Sequence, residues 1–262
     1  MLLLLPPSET KRDGGADDRR LDLAALGFPN LNPARRTVLA ALARLSRNEG
    51  ESMASLGLGP TQRAEVDRNR ALRTSPVLAA IDRYTGVLYD GLDAATFTAA
   101  DRAFAADHVA IHSALFGLLR AVDPIPAYRL SHDSRLPGLS LRTRWRAPIS
   151  AELGGHDGLV LDLRSKSYAA LGPLPGGAWY VRVVTEIGTP TGTASDASTG
   201  TPATPGRRVA LSHFNKKAKG EFVRDVVRSR IDHDTVDSLL SWASDRGIRI
   251  ERGAPGELDL VV

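Results

Sequence analysis

Five lysines stand out in a chain whose other 29 basic residues are arginine: Lys11, Lys166, Lys216, Lys217 and Lys219. The bias fits GC-rich coding. Because an ammonium is a compact point charge and a guanidinium a planar fork, positions that keep Lys suggest chemistry that Arg does not satisfy. Three of the five fall within Asn215-Lys216-Lys217-Ala218-Lys219. If Asn215 caps a helix, Lys216 and Lys217 occupy its first turn. A cation there faces the positive end of the helix dipole, at a cost of about 0.3–1 kcal/mol. An arriving phosphate or carboxylate would relieve that cost and accept the free N–H groups. Helical spacing groups Lys216 and Lys219 with Val223 and Val226, toward the body or a cleft edge, and sets Lys217, Arg224 and Arg228 on the opposite, solvated face. The alternative is a solvated basic face paired to Glu221 and Asp225.

Two further lysines sit where a strand would end. Pro6-Pro7-Ser8-Glu9-Thr10-Lys11 follows the apolar run Leu2 to Leu5, and Arg164-Ser165-Lys166-Ser167-Tyr168 follows Leu159 to Leu163. The carboxyl edge of an α/β sheet is the usual ligand edge. Ser8, Glu9, Lys11, Ser165, Lys166 and Tyr168 are therefore cleft candidates, although a loop Lys11 paired to Glu9 is an equally simple reading. No P-loop glycines accompany them, so nucleotide binding does not follow. Arg120 and Arg129 each end an apolar stretch that would fix their position, and Tyr128 precedes the second of them. Tyr84, Tyr89 and Phe116 read mainly as core.

A third candidate is the run Leu56-Gly57-Leu58-Gly59-Pro60, with Arg63, Arg68 and Arg70 following. It resembles the hairpin of a helix–hairpin–helix, in which Gly57 and Gly59 would present backbone N–H groups to a phosphate. An ordinary helix–turn–helix corner is the competing reading. His108 and His112 have the spacing of a metal pair but no Glu between them, so no metal site or cofactor is expected. No Gly-x-Ser-x-Gly elbow supports serine hydrolysis.

These groups need a frame of mixed elements. Runs 2–5, 108–112, 159–163, 179–185 and 208–212 read as strands. Helices are expected from Asn32 as cap, from Ser75 and Pro76 through Ile81, from Thr98 to Ala106, and over Ser113 to Arg120. Two more are expected over Lys216 to Arg230 and, capped by Asp234, to Arg246. A hairpin pairs Ile248 and Ile250 with Leu258 and Leu260. The segment 188–206 is nearly all Gly, Thr, Pro, Ala and Ser and reads as a disordered surface insertion. The class is mixed α/β (α+β), one domain over residues 1–262.

Composition narrows the partners. The 262 residues carry 34 basic and 30 acidic side chains and are 42% hydrophobic, which suits a soluble globular protein. The absence of Cys excludes disulfides, thiolate catalysis and Cys-ligated metals. The apolar start is too short for a signal peptide and no run is long enough to span a bilayer, so a cytoplasmic protein without membrane contact is expected. The net charge of +4 hides segregation: residues 207–230 hold eight basic and two acidic groups, residues 232–262 three basic and seven acidic. Four arginines and no acid lie between Arg135 and Arg146. Such a distribution suits a polyanion.

Four blocks carry a likeness to a known family: LLLLPPSETKR (Leu2 to Arg12), RYTGVLYDGL (Arg83 to Leu92), SALFGLLRAVDPIPAYRLS (Ser113 to Ser131) and HFNKKAKGEFVR (His213 to Arg224). In this order they resemble the peroxide-stress protein YaaA family. The resemblance implies a single compact cantaloupe-like fold with a helix–hairpin–helix, double-stranded DNA binding, and survival of hydrogen peroxide by limiting free iron and protecting DNA. It implies no established reaction. The sequence departs from the family at Ala121-Val122-Asp123 and in the 188–206 insertion. The leading expectation is a monomeric, non-enzymatic protein that binds duplex DNA through phosphate contacts. The alternative is an enzyme acting on a phosphorylated or carboxylated small molecule, with Lys11, Lys166, Lys216 and Lys219 converging in one pocket.

Overall fold

The computed structural model describes residues 1–174, 176–187, 207–210 and 214–262. Strand β1 (Leu2–Leu5) is buried along its whole length, as four consecutive leucines require of a strand covered on both faces. A helical region follows: α1 (Asn32–Leu45), α2 (Glu49–Ser55) and α3 (Ala64–Arg70), then strand β2 (Leu78–Ala79), α4 (Ala80–Arg83), α5 (Val87–Leu92) and α6 (Ala99–His108). Strands β3 (Val109–Ser113), β4 (Gly117–Arg120) and β5 (Pro124–Ile125) come next, then α7 (Leu141–Gly154), β6 (Val160–Asp162) and α8 (Lys166–Ala169). The chain closes with β7 (Trp179–Ile187), β8 (Arg207–Ala210), α9 (Phe214–Ser229), α10 (Val236–Asp245), β9 (Ile250–Arg252) and β10 (Glu257–Val261).

Among the described residues the main sheet runs β4-β3-β1-β6-β7-β10-β9, with β8 pairing to β7. Its centre is parallel: β1 pairs with β3 and β6, β6 with β7, and β7 with β10. The hairpin strands β4, β8 and β9 are antiparallel to their partners. The 188–206 insertion lies outside the described residues. No helix among those described is long and apolar enough to cross a membrane.

Several expectations change. Ser113 to Arg120 does not continue as a helix. The Ser113 hydroxyl accepts the backbone N–H groups of Leu115 and Phe116, which closes a tight turn and sends Gly117–Arg120 back as β4. Gly117 makes that turn possible: its φ is +68°, and a Cβ there would lie 2.7 Å from the Trp145 ring. Trp145 on α7 is fully buried and donates its indole N–H to the Ala114 carbonyl at 2.8 Å. The helix expected before Ile81 becomes β2, paired with β5, and the one-turn α4. Asn32 lies inside α1, its amide oxygen taken by Arg35, and Thr235 rather than Asp234 caps α10. Ile250 pairs with Leu260, whereas Ile248 precedes the hairpin. The expected Thr98 cap is present, forming a capping box with Asp101.

Candidate functional site

Neighbouring parallel strands β1 and β6 lead in opposite directions, since the chain passes from β1 across to β3 and from β6 across to β7. Their carboxyl ends therefore diverge and leave a crevice, the position at which open α/β sheets bind ligands. A cavity of about 690 Å³ opens here. Residues 6–10, following β1, form one wall and Leu163, Ser165, Lys166, Ser167 and Tyr168, following β6, another. Thr85–Tyr89 at the start of α5, Leu130–His132, Tyr180 and, from the first two turns of α9, Asn215, Lys216 and Lys219 complete it. The size suits a small organic molecule.

Close backbone packing brings α9 to the crevice. A Cβ at Gly220 would lie 2.0 Å from the Leu88 carbonyl oxygen, and one at Gly91 2.6 Å from that of Lys217, so α5 and α9 touch backbone to backbone. Helical spacing then does what the sequence suggests: Lys216 and Lys219 face the cavity, and Lys217 does not. Lys166 joins them from the first residue of α8, whose cap Ser165 accepts the Tyr168 N–H. Lys166 and Lys216 are exposed and form no ion pair among the described residues.

Lys219 is different. Only 5% of it is exposed, its Nζ donates to the Leu163 carbonyl at 3.0 Å, and it lies 5.3 Å from the centre of the Tyr180 ring. Burial lowers its pKa to about 8, against the smaller upward pull of Asp162. Asp162 is itself committed to Arg164, whose Nε and Nη2 reach its two carboxylate oxygens at 2.8 Å each. Nη1 of Arg164 donates to Nδ1 of His112 at 2.9 Å. A guanidinium only donates, so His112 is the neutral tautomer with its proton on Nε2.

The remaining walls are hydroxyls and rings. Ser8, Thr10 and Thr85 are linked, at 3.2 Å between Ser8 and Thr10 and 3.0 Å between Thr85 and Thr10. Tyr168 is buried with its ring edge-on to those of His112 and His132. Tyr89 donates its hydroxyl to the Pro6 carbonyl at 2.9 Å. The Glu9 carboxylate accepts from Arg129 at 2.7 Å, so its charge is already matched.

The sequence candidates thus separate. Ser8, Glu9, Ser165, Lys166, Tyr168, Asn215, Lys216 and Lys219 line the cavity. Asn215 does so as the second residue of α9, which begins at Phe214, and not as its cap. Lys11 lies behind the wall: it is 8% exposed and donates to the carbonyls of Ser8 and Glu9 at 3.0 and 3.2 Å. Its Nζ is 4.2 Å from the Tyr128 ring centre, and burial, then Arg129, lowers its pKa to about 7. Tyr128 is in the core, its hydroxyl 2.7 Å from those of both Tyr84 and Ser113. Arg120 points elsewhere, donating to the Asp107 carbonyl and lying over Phe28.

On the far face of α9, Lys217 lies 3.6 Å from Glu221, Arg224 lies 3.8 Å from Asp225, and Arg228 donates to Thr96. The Gly57–Gly59 segment forms a corner whose donors are used internally. Gly57 N–H reaches Ala54, Leu58 N–H reaches Met53, and Gly59 N–H reaches the Gln62 side chain. Arg63 pairs with Glu49, and Arg68 with Glu65 and Asp13. Sequence reasoning missed Thr85, Ser131, His132 and Tyr180 as lining residues. Thr85 and Ser131 fall within two of the four family-like blocks, which was the available signal.

Comparison with known proteins agrees with the four blocks. A model of the family described as "Peroxide stress protein YaaA" matches residues 1–251. A UPF0246 protein of Corynebacterium glutamicum is 41% identical over 96% of this chain and 95% of its own. One from Corynebacterium efficiens is 40% identical over the full length of both. One from Streptomyces coelicolor is 38% identical over 98% and 94%. Coverage from end to end at this identity makes the chain a member of the peroxide stress protein YaaA family.

Proposed function

We propose that this protein serves the peroxide stress response in the cytoplasm by binding, in the β1–β6 crevice, a small molecule that carries a phosphate or carboxylate. The observation that carries this reading is the convergence of Lys166, Lys216 and Lys219 from two separate chain segments on one concave site. Among the described residues, Glu9 is the only acidic side chain in the wall, and it is held by Arg129. An anion there would gain charge-assisted hydrogen bonds from cations with no competing carboxylate. The tyrosine and histidine rings would flank an attached carbon skeleton. Limiting free iron, which the family resemblance implies, would run through that ligand.

A second reading, double-stranded DNA, is favoured by a different surface. Arg142, Arg144 and Arg146 are exposed along α7 and pair with no acid among the described residues. In this reading α7 contacts phosphates. The family resemblance implies a helix–hairpin–helix in a cantaloupe-like fold, and the Gly57–Gly59 corner would have to release its internal hydrogen bonds to join in.

Thermal denaturation against phosphorylated and carboxylated metabolites, and separately against a DNA duplex, tests both. The cavity reading expects stabilisation by small anions that disappears when Lys166 and Lys216 are both replaced by Ala. Stabilisation by the duplex alone, unaffected by those replacements, would overturn it.

A further inference from the structure

The three cavity lysines are not equivalent, and the difference concerns reactivity. Lys166 and Lys216 are exposed ammoniums at the edge of the cavity. Lys219 lies in its wall, one turn further along α9 than Lys216, and its one side-chain hydrogen bond among the described residues goes to the Leu163 carbonyl. The carboxylate that acts on its charge, Asp162, is doubly engaged by Arg164. A lysine becomes a nucleophile when it is desolvated or placed beside another cation, because both disfavour its protonated form. Lys219 meets the first condition: it is buried in the cavity wall, and burial is the main cause that lowers its basicity.

We propose that Lys219 is a nucleophile that forms an imine with the carbonyl carbon of an aldehyde or oxo acid whose phosphate or carboxylate is held by Lys166 and Lys216. This rests on the anion site proposed above and narrows its ligand class. The lone pair on Nζ adds to the carbonyl carbon, and the carbonyl π electrons move onto oxygen. A proton passes from nitrogen to that oxygen to give a carbinolamine. Loss of water breaks the C–O bond and forms C=N. No oxidant or reductant is consumed. Desolvation supplies the unprotonated amine: with a pKa of about 8, roughly one molecule in ten carries it at neutral pH, far more than for an ordinary lysine. The Tyr180 ring, its centre 5.3 Å from Nζ, gives the new C=N bond an aromatic face.

The test uses the full-length protein with glyceraldehyde 3-phosphate and, separately, pyruvate, each in the presence of cyanoborohydride, which reduces an imine to a stable secondary amine. Peptide mass spectrometry locates the adduct. The expected result is one adduct on Lys219 at least tenfold more abundant than on Lys166, Lys216 or Lys217, suppressed by inorganic phosphate. It should vanish in Lys219→Arg, which keeps the positive charge. Lys219→Met, checked for folding by its melting temperature, serves if the arginine is not accommodated. Labelling spread over exposed lysines, or none, would overturn the proposal. Glycerol 3-phosphate, which has no carbonyl, separates this failure from failure of the anion site: if it binds while nothing is trapped, only the imine is lost.

Discussion

Lys216 and Lys217 are adjacent in sequence, yet the two faces of α9 they begin have different physical chemistry. On one face Lys216 and Lys219 reach a concave site without a carboxylate of their own, and Lys219 is buried enough to lose much of its basicity. On the other, Lys217, Arg224 and Arg228 are matched by Glu221, Asp225 and Thr96 at the surface. Exposed pairs of this kind contribute about 0–1 kcal/mol and are screened by salt. A high local charge therefore identifies no site by itself. Burial in the wall of a cavity without an ion-pair partner does, because holding such a cation costs stability that a ligand in the cavity can recover.

The largest effect should come from separating the helices that create the contrast. Gly220→Leu places side-chain atoms where the Leu88 carbonyl already lies. We expect destabilisation by about 3 kcal/mol, measured by urea unfolding, together with loss of ligand binding. Next, reversing charge on the two faces should give opposite answers. Lys166→Glu with Lys216→Glu should weaken glycerol 3-phosphate binding by about tenfold or more per lysine in calorimetry. Lys217→Glu with Arg228→Glu should change it by less than about twofold.

How far the site could be foreseen depends on which physical level fixed each part. The buried strands β1, β6 and β7 were legible because continuous apolar runs bounded by Pro, Gly or polar residues have few other uses. From them followed the ligand edge, and with it Ser8, Lys166 and Tyr168. The α9 face was legible from helical period alone. The β3–β4 hairpin was not, because Leu115, Leu118 and Leu119 fit a helix as well as a strand, and a Ser113 hydroxyl decided between them. Lys11 turned inward because Ser8 and Glu9 offer carbonyls to it, an arrangement no spacing rule predicts. Nor could the pairing of Arg68 with Asp13, 55 positions away, be read from Gly57–Gly59. That pairing is one reason the corner presents less free charge than its composition suggests.

A smaller effect concerns pH. Lys219 has a folded-state pKa below the usual lysine value, so its positive charge is present below about pH 8 and declines above it. Affinity for a carboxylate such as succinate, whose own charge is constant there, should fall by about threefold to tenfold between pH 7 and 9. Lys219→Met should flatten that profile. Smallest is the test of the second surface. Replacing Arg142, Arg144 and Arg146 by Glu should reduce the slope of log K against log salt for a duplex by about 0.9 for each phosphate that is no longer neutralised. It should leave glycerol 3-phosphate binding unchanged.

Anomalous diffraction from crystals grown with tungstate, a phosphate analogue with a strong signal, tests the anion site most directly. The strongest peak is expected in the β1–β6 crevice, within hydrogen-bond distance of the ammonium groups of Lys166 and Lys216, and should disappear in Lys216→Glu but not in Lys217→Glu. Peaks confined to the α7 arginines, with the crevice empty of signal at saturating tungstate, would contradict it.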